Sequence, residues 1–234
     1  MRRILLSPIW SRGLLLRELF LVILLAWGGQ TLAVPLVESI LPLSDETLRV
    51  WSAILISEIF GIGILLAGWH YLRPGKWTDC RWLTKSEWKL VLLGFGIAVL
   101  GSGVLGDLWK TVLDIFEIPY DEEQPIVDMF RRSAWGGKLL VAITAVLVVP
   151  FFEEVLFRKT IFAFFARWGN ILAIVITSFI FGAVHFFLLG FPSLCWIGLV
   201  FQVIYLRSRN IMVSTAAHGL LNLCALAAAF FPSI

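Results

Sequence analysis

From Trp168 to Leu206 the chain contains no Asp, Glu, Lys or Arg. One bilayer-crossing helix needs about 20 apolar residues, so this single run is long enough for two. A stretch of that kind fixes the solvent before it fixes the fold. The rest of the sequence agrees, with 59% hydrophobic residues, only 15% charged ones and a mean hydropathy of +0.91. Water-soluble domains carry roughly a quarter charged residues. The chain is therefore expected to be all-α, a polytopic integral membrane protein with about seven transmembrane helices. Its net charge of +3 is modest and forms no basic stripe, so nucleic acid is not an expected partner. The expected partners are the lipid bilayer and whatever substrate enters from it.

The spans follow from uncharged runs and their flanks. Phe20 to Val37 is the first, after a basic start with Arg2, Arg3, Arg12 and Arg17. That start also suits a cleaved signal peptide, but a retained helix is expected because so many spans follow. Val50 to Tyr71, with Glu58 inside it, and Leu90 to Gly106 come next, and a fourth span begins near Leu139. The uncharged run supplies two more, broken at Leu189 to Ser193, where Gly190 and Pro192 favour a turn. Ile211 to Phe231 is the last.

Alternating orientation with the N-terminus cytoplasmic puts most of the 19 basic residues inside, among them Arg73, Lys76, Arg81, Lys85, Lys89, Arg158, Lys159, Arg167, Arg207 and Arg209. This is the bias expected of a membrane protein. The acidic segment from Asp107 to Asp128 falls outside, with a short amphipathic helix expected over Leu108 to Phe116. The scattered cysteines (Cys80, Cys195, Cys224) read as small apolar fillers. Residues 1–137 are taken as N-terminal helices and an outer acidic loop, and residues 138–234 as the functional core.

Ionisable residues at membrane depth mark functional sites. The conspicuous ones are Glu153, Glu154, Arg158, His185, His218 and Asn222. Residues four apart share a helix face, so Glu154 can pair with Arg158. Glu153 points about 100° away and stays free for a proton, water or metal. Pro150 cannot donate to the carbonyl of Val146, which predicts a kink beside the pair. Glu153 lies fourteen residues before the expected turn at Arg167, His185 fifteen after Asn170, and His218 eight after Asn210. These spacings put all three in the inner half to the middle of the membrane. Asn222 follows His218 on the same face. A lone His or Asn in a membrane is usually interhelical glue, and a Phe four residues before a His is by itself packing. The combination at one depth is what points to a polar pocket.

Glu153–Arg158 fits EExxxR, Phe181–His185 fits FxxxH and His218–Asn222 fits HxxxN. Three such motifs in this order resemble the CAAX prenyl protease type II and bacteriocin-processing family of intramembrane endopeptidases. The resemblance covers about Lys138 to Phe231, without departure from the motifs. It implies that Glu153 acts on an attacking water and that His185 positions it. His218 and Asn222 would polarise the scissile carbonyl, with Glu154 and Arg158 as structural support. The implied activity is hydrolysis of a peptide bond in a prenylated or other membrane-associated peptide. No cofactor is favoured; zinc held by Glu153, His185 and His218 is the alternative. A proton-linked transporter or a non-proteolytic immunity protein against a peptide toxin could use the same polar pocket. No internal repeat of the kind many transporters show is present.

Overall fold

A computed structural model describes residues 20–230, apart from 22 and 73–78. The basic residues at 2, 3, 12, 17, 73 and 76, and the choice between signal peptide and retained helix, lie outside or at the edge of those residues. Among the described residues the protein is all-α. The helices are α1 (Gly29–Ile40), entered through a π turn at Leu24–Gly28, α2 (Glu46–Leu72), α3 (Lys85–Ile115), α4 (Pro125–Arg132), α5 (Trp135–Trp168), α6 (Asn170–Ala183), α7 (Phe191–Ser208) and α8 (Ile211–Phe230). Five of them, α2, α3, α5, α7 and α8, are long and apolar enough to cross a membrane, while α1 and α6 are shorter apolar helices at the positions of two further expected spans.

Three boundaries differ from expectation. Leu108 to Phe116 is no separate helix. Nothing between Gly106 and Phe116 breaks the ladder, so α3 runs on to Ile115, about 46 Å at 1.5 Å per residue. The amphipathic helix is instead α4, which starts with Pro125 and ends with Arg131 and Arg132. The break between α6 and α7 falls at residues 184–190, ahead of the expected position. Pro192 lies in the first turn of α7, where a missing N–H leaves no helical bond unmade.

Helices α5, α7 and α8 form the centre. α7 packs on α6 and α3, and α8 packs on α3, α5 and α7. Phe157, Phe162, Phe181 and Phe201 are fully enclosed there. The outer face of α3 carries exposed Leu92, Leu93, Leu100, Val104 and Leu108. An apolar face of this kind suits lipid rather than water.

Arg158 and Lys159 are buried within α5, 0% and 3% exposed. Lys159 meets Asp79 at 2.6 Å, and Asp79 also accepts from the Tyr205 hydroxyl at 2.8 Å. The carbonyl of Asp79 accepts from the Ile211 N–H at 2.7 Å. Beside it, Arg81 grips Glu87 through two bonds of 2.8 and 2.7 Å, and Asn210 donates to the Arg81 carbonyl at 3.1 Å. The segment after α2 is thus fastened to α5 and to the α7–α8 corner, which holds α8 in register with α5.

Candidate active site

The site is built on an irregular stretch of α5. Two π segments, Thr144–Val148 and Val155–Ile161, flank the six α-helical residues Val149–Glu154. In the first, the Val149 N–H donates to Thr144. An α-helix would have used that N–H for the Ala145 carbonyl, and the next N–H along is missing because residue 150 is proline. Ala145 is therefore left without a donor in its own helix. The Asn222 side-chain amide supplies one at 2.7 Å. One turn earlier on α8, a Cβ on Gly219 would stand 2.5 Å from the Val146 carbonyl oxygen. Only glycine lets α8 approach the opened ladder so closely. The kink expected from Pro150 is realised as a π register, and α8 is docked on the carbonyls it exposes.

That docking brings His218 over the glutamate pair. Glu154, fully buried, accepts two bonds from Arg158, at 2.8 and 3.0 Å, as the four-residue spacing predicts. The other face of the pair is new: Nδ1 of His218 lies 3.2 Å from a Glu154 oxygen. A carboxylate only accepts, so Nδ1 carries the proton and Nε2 of a neutral His218 presents a lone pair. Nε2 lies 3.8 Å from Oε2 of Glu153. That is too long for a direct hydrogen bond, and Oε2, although buried, has no hydrogen-bond partner among the described residues. Glu153 is otherwise about one-fifth exposed. It is thus the free carboxylate that the spacing called for.

His185 stands elsewhere than expected. It is two residues past the end of α6, in the turn before α7, and not inside a span. The turn is held from outside by Trp109, whose indole donates to the Leu188 carbonyl at 2.9 Å. Nδ1 of His185 donates to the Phe181 carbonyl at 2.7 Å, leaving Nε2 as its open position. Phe181, which looked like packing alone, is the hub of the site. Its ring lies 4.9 Å from His185, 5.9 Å from His218 and 5.0 Å from the Arg158 guanidinium carbon. Its spacing in FxxxH carried the signal, since position i−4 offers a carbonyl to a histidine at the end of a helix. Glu58 is half-buried on α2, which packs on α5.

Among the described residues no three His, Cys, Asp or Glu side chains come together as a metal-binding group. Glu153, His185 and His218 are therefore not arranged as a zinc ligand set among the described residues.

The matched region holds the glutamates, both histidines and Asn222. Residues 135–224 match the family described as Type II CAAX prenyl endopeptidase Rce1-like. The match covers 38% of the chain. Glu153, Glu154, Arg158, Phe181, His185, His218 and Asn222 all fall within the matched segment. The chain is also 31% identical over 132 residues, 56% of its length, to a protein of Bacillus subtilis (strain 168) named "Putative membrane peptidase YdiL". It spans about half of that relative, 52%. No solved structure matches the chain. The five long apolar helices describe a multi-pass membrane protein.

Proposed function

We propose that the chain is an intramembrane endopeptidase in which Glu153 and His218 activate water between them. The observation that carries this is the pair of acceptors facing each other at 3.8 Å, Glu153 Oε2 without a donor and His218 Nε2 with its tautomer set by Glu154. A water beside that line can donate one proton to each, which turns its lone pairs outward toward a carbonyl. As the water attacks, its proton passes to Glu153 and from there to the departing amine, general acid–base work in a site where bulk water is scarce. Glu154 and Arg158 act on His218 as the buried carboxylate of a hydrolase triad acts on its histidine, fixing tautomer and orientation.

The amide of Asn222 makes one bond to Ala145 and has a second N–H, which we assign to the developing oxyanion. His185, whose Nε2 is open, completes the pocket from the α6–α7 turn and touches the peptide on the side away from α8. In this reading His218 takes the water-positioning part that the family resemblance alone gives to His185. The substrate class is a peptide reaching the pocket from the membrane, with a prenylated C-terminus as the family's type case.

The test is cleavage of a farnesylated peptide and its unprenylated twin by purified protein. Wild type cleaves at least one of them, and Glu153→Gln cleaves neither. His218→Ala should cost more of kcat than His185→Ala. The reverse order would return the water to His185. Cleavage should continue in a strong chelator; loss of activity restored by zinc would replace this mechanism with a metal-dependent one.

A further inference from the structure

Gln202 of α7 is fully buried, and both atoms of its amide lack a hydrogen-bond partner among the described residues. So does Nη1 of Arg158, the one guanidinium nitrogen not used on Glu154 and also buried. Orphaned polar atoms deep in a protein are rare. Two sets of them in one core call for a common cause.

Their positions supply it. One turn before Gln202, Gly198 packs so closely on Phe181 that a Cβ there would lie 3.2 Å from the ring, and that ring covers the Arg158 guanidinium. Three residues after Gln202, Tyr205 bonds to Asp79, which pairs with Lys159, the neighbour of Arg158. Residues at these spacings share one helix face. The face of α7 running from Gly198 through Gln202 to Tyr205 therefore leads from Phe181, which covers Arg158, to Asp79, which pairs with Lys159, and Gln202 lies between the two. We propose that Gln202 is a positioning residue of the active site, holding the third nitrogen of Arg158 through a buried water. Such a water makes about three bonds, here donating to the Gln202 carbonyl oxygen and accepting from Arg158. Arg158 then fixes Glu154, and Glu154 fixes His218. The kinetic part of this rests on the endopeptidase reading; the structural part does not.

The experiment is Gln202→Met in the full-length protein, which keeps the side chain's length and removes both amide atoms. An amide that bonds nothing is relieved by that exchange, so a Gln202 without a role gives an unchanged or higher Tm. A Gln202 that holds Arg158 gives a lower Tm, and Gln202→Glu, whose carboxylate reaches the same guanidinium, recovers it. In 15N-arginine-labelled wild type, slow exchange of the Arg158 Nη protons is expected, lost in Gln202→Met and kept in Gln202→Glu. With a cleavable peptide, kcat should fall about tenfold in Gln202→Met, as for one lost bond to a charged group, while KM stays unchanged. A Tm that holds or rises, or Arg158 protons that exchange alike in wild type and Gln202→Met, overturns the proposal. A wild type that cleaves no peptide overturns the endopeptidase reading alone, since neither the Tm nor the guanidinium measurement uses turnover.

Discussion

Helices α3 and α5 are both more than thirty residues long and both strongly apolar. They behave as opposites. α3 opens with a capping box, Thr84 and Glu87 each bonding the other's backbone, and runs α-helical to Ile115. α5 has a proline inside it, two π segments and three buried charges. The regular helix lends the molecule an apolar wall. The irregular one exposes carbonyls, which a regular helix in lipid does not do because its backbone groups are all satisfied within itself, and it carries both glutamates. In this molecule the candidate glutamates lie between two departures from the α-helix.

The contrast can be broken first at Glu153. Glu153→Gln should lower turnover by about 10²–10⁴, the usual worth of a general base, with Tm unchanged, because its Oε2 has no partner to lose. A large fall in Tm would mean that Glu153 holds α5 together and does not act on water. Next comes the charge pair. Arg158→Leu leaves Glu154 buried without its cation, and chemical denaturation should register a loss of about 3–5 kcal/mol. Equal stability of wild type and variant would show that the buried pair does not hold α5.

Two glycines then sharpen the comparison. Gly219→Ala drives a methyl group toward the Val146 carbonyl. It should cost about 1–3 kcal/mol, as overpacking does, and slow turnover by moving His218 away from Glu153. On α3, Gly103 has nothing within 4 Å of where a Cβ would go. Gly103→Ala should leave turnover alone and raise stability by up to about 1 kcal/mol, the difference in helix propensity. If the two alanines behaved alike in a thermal scan and a peptide assay, the distinction between the two helices would be lost.

How much of this the sequence discloses depends on how local each cause is. The pairing of Glu154 with Arg158 is a matter of spacing on one helix, and it was legible. So was the trouble at Pro150, a missing N–H that no neighbour can restore. The form that trouble takes, a π register, depends on Asn222 and Gly219 arriving from another helix, and nothing near residue 150 announces them. The burial of Lys159 could not be read locally, because Asp79, which neutralises it, lies eighty positions earlier. His185 reads as part of a span because the residues around it are apolar; the turn that holds it is contacted by the distant Trp109. The membrane class needed only composition. The two histidines needed partners that spacing alone does not name.

The fastening at Asp79 bears on how this protein can be taken apart. The family segment begins at residue 135, yet Lys159 within it is neutralised by a carboxylate from the chain's first half, and Ile211 at the start of α8 gives its N–H to the same residue. A fragment starting at residue 135 would contain every motif side chain. It would also carry a buried ammonium group without Asp79 and an α7–α8 corner with no anchor, so α8 would have nothing to keep His218 above the glutamates. Split the gene there, and the two pieces would have to be made together and find each other in the bilayer before either could be complete.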